Sequence, residues 1–243
     1  MNGKQRELTH ALLKTVLSES GHVKVKNIMF LEDILFVLEG KNRRFVRDSE
    51  AYHILIFGKP GNKGAWSWRF EGHHLSFNYT ILNGKVIGVP SFWGSNPAVC
   101  DFGPGRKLIA LEVEEFAARK LRNSLSTEQA NKAVIADKAP RDILTSALPK
   151  VEALENTGIA YGDLNKGQQT QLTQLIEEYI NRHRAVVAKE DWAMIEKGGL
   201  DKIRFSWAGS TKAFEAHYYR IQGPTFLLEY ANTQNGAKHI HAT

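Results

Sequence analysis

Trp66-Ser67-Trp68-Arg69-Phe70-Glu71-Gly72-His73-His74-Leu75-Ser76-Phe77-Asn78-Tyr79-Thr80-Ile81-Leu82 decides the fold. Trp66, Trp68 and Phe70 share one parity, whereas Leu75, Phe77, Tyr79 and Ile81 share the other. A period of two is the mark of a half-buried strand, so the stretch reads as one long strand or a bent strand pair. Its phase changes midway. One inserted residue is the economical explanation, and Gly72 is where a β-bulge is expected. Such a bulge would re-aim the side chains of Glu71-Gly72-His73-His74.

Working outward, further strands are expected at Tyr52–Phe57, Lys85–Trp93 and Arg204–Ala208. A hairpin of Phe214–Ile221 and Thr225–Asn232 turns at Gly223-Pro224. On the N-terminal side, Leu8, Leu12, Leu13, Val16 and Leu17 fall at helical spacing, with Gly21 as the stop. A second helix is expected at about 24–39, carrying Ile28, Leu31, Ile34, Leu35 and Val37 and ending at Gly40. Helices resume at about 109–123, 126–136 and 166–187, with a short one near 190–197. Three capping boxes, Asn2…Gln5, Ser126…Gln129 and Asn165…Gln168, mark helix starts. Helices grouped around a mainly antiparallel sheet define the α+β class. We expect one domain over 1–243, with a helical segment of about 1–40 packed on an α+β core.

With 42% apolar and 24% charged residues, the chain has the composition of a folded protein rather than a disordered one. The formal charge of +6 raises the question of nucleic acid. Its basic residues are scattered, however, and the densest groups (Lys41, Arg43, Arg44, Arg47; Arg182, Arg184) have acids nearby. No nucleic-acid-binding signature accompanies them, and a solvated basic surface is expected. The single cysteine, Cys100, excludes an intramolecular disulfide and reads as a small apolar residue. No stretch approaches the ~20 apolar residues of a membrane span. The polar start, Met1-Asn2-Gly3-Lys4-Gln5, lacks the apolar segment of a signal peptide. As written, the chain is expected to be soluble and cytoplasmic.

The chemistry-bearing residues fall in three segments. In Glu71-Gly72-His73-His74, Glu71 and His73 share a strand face, while His74 needs the bulge to join them. Ser76 and Asn78 follow as a polar row beside Phe77 and Tyr79. His239-Ile240-His241 is a same-face pair on extended backbone. Together these segments offer four imidazoles and a carboxylate, enough for the three- or four-ligand sites of zinc, copper or non-haem iron. Two structural readings stand against this one: exposed terminal histidines, or histidines that serve as core hydrogen-bonding groups. The third segment is the hairpin carrying Tyr219, Arg220, Gln222 and Glu229. Glu229, alone in an apolar strand, needs a partner or a purpose. The partner would be Arg220 across the hairpin; the purpose would be general acid–base work near a metal. Asn232, Gln234 and Asn235 lead into His239 and either orient ligand histidines or cap a turn. No nucleophile elbow, P-loop, His-Glu-x-x-His or dinucleotide-binding glycine motif is present.

The strings Trp68-Arg69-Phe70-Glu71-Gly72-His73-His74-Leu75-Ser76, Gly94-Ser95-Asn96-Pro97-Ala98 and Tyr219-Arg220-Ile221-Gln222-Gly223-Pro224-Thr225-Phe226 carry a resemblance. So does Asn232-Thr233-Gln234-Asn235-Gly236-Ala237, followed by His239-Ile240-His241. Over nearly its whole length the chain resembles the bacterial family catalogued as domain of unknown function 3500. The resemblance brings no activity with it. It implies that the Glu-Gly-His-His and His-Ile-His segments belong together as hallmarks. It also implies a chain shortened at both ends, exported if a signal segment precedes Met1.

The leading expectation is a metal-dependent enzyme, hydrolytic rather than oxidative, acting on a small molecule. His73, His74, His239 and His241 would be ligands, with Glu71 as ligand or base and Glu229 as base or as a support behind the ligands. Ser76, Asn78, Tyr219, Arg220, Gln222, Asn232, Gln234 and Asn235 would surround substrate or ligands. The alternative is a non-catalytic protein that binds a small molecule or holds a metal, with an aromatic-lined pocket (Trp66, Trp68, Phe77, Tyr79, Tyr218, Tyr219, Tyr230).

Overall fold

Leu75, Phe77, Tyr79 and Ile81 face the same side of the sheet as Trp68 and Phe70, because the stretch folds back on itself. The computed structural model describes residues 1–42, 44–87, 90–148 and 151–243. In it β2 (Ala65–Gly72) and β3 (Leu75–Leu82) form an antiparallel hairpin, with Phe70 opposite Phe77 and Gly72 opposite Leu75. The expected bulge at Gly72 is therefore replaced by a two-residue turn, His73-His74, with His74 in the left-handed region at φ 66°. A tight turn reverses parity just as an inserted residue does, so the alternation is the same for both.

Most other elements follow from the same grammar, but the expected helix of 166–187 stops at Ile180 before a new one over Ala185–Gly198, and that of 126–136 gives way at Val134 to a short strand. Helices α1 (Gly3–Val16), α2 (Glu19–Glu39), α3 (Glu112–Ser124), α4 (Thr127–Ala133), α5 (Lys166–Ile180) and α6 (Ala185–Gly198) flank the sheet. The remaining strands are β1 (His53–Phe57), β4 (Lys85–Ile87), β5 (Ser91–Ser95), β6 (Cys100–Asp101), β7 (Lys107–Leu108), β8 (Val134–Ala136) and β9 (Ile159–Ala160). After them come β10 (Arg204–Gly209), β11 (His217–Gly223), β12 (Phe226–Gln234) and β13 (His239–Ala242). The large sheet runs β1-β2-β3-β5-β13-β12-β11-β10-β8, with β4 on β3 and β9 on β10. Strands β6 and β7 pair separately. Every pairing is antiparallel except β10 with β8. The class is α+β. Part of the expected strand Lys85–Trp93 falls on 88–89, outside the described residues, as does Arg43. Among the described residues no helix is long and apolar enough to cross a membrane.

All three capping boxes form, at Asn2, Ser126 and Asn165. The first helix does not run to Gly21, however. It ends at Val16, and Ser18 caps α2 by accepting from the Gly21 amide. Gly21 lies in the first turn of α2 for a different reason: a Cβ there would stand 2.1 Å from the Arg182 carbonyl oxygen. Glycine permits the close approach of two backbones, and the stop signal is the serine cap.

The core is continuous from α1 to β13 and is rich in aromatic rings. Trp68, Phe77, Tyr79, Tyr218, Tyr219 and Tyr230 are all buried, so these rings fill the interior rather than line a pocket. Tyr219 stacks on Tyr230 at 5.0 Å and its hydroxyl meets that of Tyr179 at 2.6 Å. His217, fully buried, stacks on Trp207 at 4.9 Å. Burial is the main cause that lowers its pKa from 6.5 to about 4, and Arg119 adds to the effect. Between pH 6.5 and about 4 the unfolded chain therefore binds a proton that the folded chain refuses. Stability from this group is complete above pH 6.5 and drains away as the pH falls towards 4. Urea unfolding is expected to show wild type losing about 2 kcal/mol more than His217→Gln between pH 7 and pH 5. Equal losses in the two proteins would show that His217 titrates normally.

Candidate metal centre

The sheet order explains how two segments 165 residues apart meet. Strand β5 lies between β3 and β13, and Gly94 sits opposite His241. The β2–β3 turn is drawn against β5 when the Gly94 amide donates to the His74 carbonyl oxygen at 2.7 Å. A Cβ on Gly94 would stand 2.5 Å from the His74 ring, so glycine here makes room for the imidazole. The turn is fixed from the other side by the Tyr52 hydroxyl, which donates to the His73 carbonyl oxygen at 2.6 Å.

Strand β13 then brings His239 and His241 to the same place, both half-buried and on one face. The Nε2 atoms of His74 and His239 are 2.7 Å apart, and those of His239 and His241 are 3.0 Å apart. Nitrogens bound tetrahedrally at about 2.0–2.1 Å from an ion stand roughly 3.4 Å from one another. An ion would thus spread the His74–His239 pair by about 0.7 Å and the His239–His241 pair by about 0.4 Å. His74, His239 and His241 form a group able to hold a metal ion. The rings also suit the purpose electrostatically. Burial first, and then neighbouring imidazoles, lower the pKa of His74 well below 6.5, and the same causes lower that of His239 to about 4. Neutral imidazole is the ligating form.

Outside the three rings, Asp142 accepts from His241 Nδ1 at 2.7 Å, and Gln234 Nε2 donates to the other Asp142 oxygen at 3.0 Å. The Asn235 side-chain nitrogen lies 3.5 Å from His239 Nδ1, at the limit of a hydrogen bond. A carboxylate on the far nitrogen fixes the tautomer and leaves Nε2 with its lone pair, the usual support of a ligating histidine.

The ring of His73 lies against that of His74, 3.7 Å between centroids, but its polar contacts lead elsewhere. Its Nδ1 contacts Glu32 of α2, and Arg47 Nη1 stands 3.2 Å from the same nitrogen and 3.4 Å from Glu32. Arg47 also forks onto Glu39 at 2.6 and 2.9 Å. Glu32, His73 and His74 form a second group with metal-ligating spacing. A guanidinium already sits beside it, which makes the three-imidazole group the better cation site.

The remaining expected residues are dispersed. Glu71 pairs with Arg69 at 3.5 Å on an exposed face, and Asn78 accepts from Arg69 at 2.7 Å. Ser76 lies opposite Phe92 in the β3–β5 pairing. Tyr219 is a core residue. Gln222 bonds both the amide and the carbonyl of Leu154 at 3.1 and 3.0 Å. Asn232 is buried opposite Ile240. Arg220 and Glu229 are cross-strand partners in register, yet each turns to a loop. Arg220 donates to the Glu155 carbonyl oxygen at 2.6 Å and Thr157 Oγ1 at 2.8 Å. Glu229 accepts from the amides of Leu144 and Thr145 at 2.7 and 3.0 Å and from the Tyr218 hydroxyl at 2.7 Å.

Sequence reasoning missed Glu32 and Asp142. Glu32 had a signal, being an acid on the buried stripe of α2 between Ile28, Leu31 and Leu35. Asp142, on a loop 99 residues before His241, had none.

A family model described as a protein of unknown function, DUF3500, matches residues 1–243. No curated protein matches the chain. No solved structure matches it.

Proposed function

This chain belongs to the DUF3500 family of proteins of unknown function, and we propose that it is a metal-dependent enzyme, hydrolytic in its chemistry, built on His74, His239 and His241. The observation that carries the reading is the convergence of His74 Nε2 and His241 Nε2 on His239 Nε2, at 2.7 and 3.0 Å. Three imidazoles leave a fourth position on a tetrahedral ion, the pattern of catalytic rather than structural sites. An ion held there supplies Lewis acidity and a polarised water for attack on a small-molecule substrate. Zinc, copper and iron all suit imidazole ligands. The chain's own contribution is to keep His74 and His239 neutral by burial. Asp142 holds the Nδ1 proton of His241, so that Nε2 presents its lone pair. Six of the seven aromatic residues of the alternative, a binding pocket, are buried in the interior.

Elemental analysis of untagged protein, before and after chelation, is the test. One equivalent of a transition metal, stripped by chelator and restored on adding the ion back, is the expected result. Protein that carries none and takes up none of zinc, copper, iron or manganese would overturn the proposal.

A further inference from the structure

We propose that residues 141–145 form a strap fastened to β12, with Glu229 as its main anchor, and that Glu229 is a positioning residue for the histidine centre rather than an acid or base. The chemical consequence rests on the metal-centre reading above; the geometry does not.

Each residue of the strap is tied down. Thr233 Oγ1 donates to the Arg141 carbonyl oxygen at 2.6 Å, and Gln234 Nε2 holds one oxygen of Asp142. Ile143 packs with Ala208, Tyr218 and Ala231 in a small cluster apart from the main core. Leu144 and Thr145 donate their amides to the two oxygens of Glu229. Three of these anchors, Glu229, Thr233 and Gln234, belong to β12. Ala231, which packs on Ile143, is the register partner of His241. The strap therefore crosses the sheet where His241 projects, and it delivers Asp142 to the Nδ1 of that ring.

The charge on Glu229 fits this role. It is 0% exposed, and three donors converge on its two oxygens. A carboxylate accepts two amide protons more strongly than a neutral group does, whereas its oxygens are too engaged to shuttle protons at the imidazoles. Asp142 needs such support because its side chain is 41% exposed. On an untethered loop it would hydrate and swing, and His241 would divide its proton between both nitrogens. Glutamine at 229 would keep one acceptor and turn an NH2 towards a backbone amide, which loosens the strap.

Glu229→Gln would be compared with wild type by two readouts: zinc affinity against a chromophoric chelator, and the tautomer of His241 from ring nitrogen shifts in the metal-free protein. We expect zinc to bind about ten-fold more weakly and the His241 tautomers to mix. Adding Asp142→Ala should cost no further affinity, since both changes cut one connection. If Glu229→Gln does not fold, Thr233→Val cuts another tether and is read the same way. Unchanged zinc affinity with an unmixed tautomer would overturn the strap. Wild-type protein that takes up no zinc would overturn the metal reading alone, and the tautomer shift would then decide the strap.

Discussion

Zinc binding should fall about a hundred- to a thousand-fold in His239→Ala, while His73→Ala should alter it by less than about three-fold. The first figure follows from the roughly 10–16 kcal/mol of a four-ligand zinc-finger site, about 2.5–4 kcal/mol for each protein ligand. His239 is chosen because its Nε2 is the atom that both His74 and His241 approach. Without it the two remaining nitrogens have no common neighbour. The second figure follows from the engagement of His73 Nδ1 with Glu32 and Arg47, although its ring lies against that of His74 at 3.7 Å between centroids. Competition titration with a chromophoric chelator at pH 7.5 measures both variants on one scale. Equal losses in the two would make His73 a ligand alongside His239, and no loss in His239→Ala would remove β13 from the centre.

That contrast between adjacent histidines could not be drawn from the sequence. His73 and His74 are neighbours in every one-dimensional reading, and a bulge or a turn produces the same change of parity. Only the turn, with His74 at positive φ, sends one ring towards β13 and the other towards α2. Local grammar was otherwise legible. The three capping boxes formed because they depend on four consecutive residues, and the strands of the last hairpin paired in the register that sets Arg220 against Glu229. Register did not decide partnership, however. A loop covers that face of the sheet and offers backbone groups to both charges, and nothing in the strand sequences announces it. The same limit hid Asp142. A carboxylate that serves a histidine 99 positions later leaves no spacing to find. His239 and His241 were legible because alternation on one strand is enough to put them on one face.

Arg182→Met is expected to cost the fold about 3–5 kcal/mol, a drop in Tm of roughly 6–20 °C for a chain of this size. Arg182 is only 3% exposed. Its Nη2 meets Glu114, itself fully buried, at 2.5 Å, and its guanidinium lies 4.2 Å from the Tyr179 ring centre and 4.9 Å from that of Trp93. Lys24 is the other cation on Glu114, and it is shared with Glu178. Methionine matches the aliphatic stem but strands a carboxylate in the core with half its compensation, and a lone buried charge costs more than the pair is worth. For that reason Arg182→Met with Glu114→Gln should be less destabilised than Arg182→Met alone, because the second change removes the stranded charge. Urea denaturation of the two variants and wild type measures the difference directly. A loss below about 1 kcal/mol in the single variant would mean that water reaches Glu114 despite its burial. The network joins α2, α3 and the segment after α5 beneath Trp93 of β5, the strand that also carries Gly94. A methionine there should leave zinc affinity intact in the folded fraction, since no member of the network touches an imidazole of the centre, so stability and metal binding would be seen to separate.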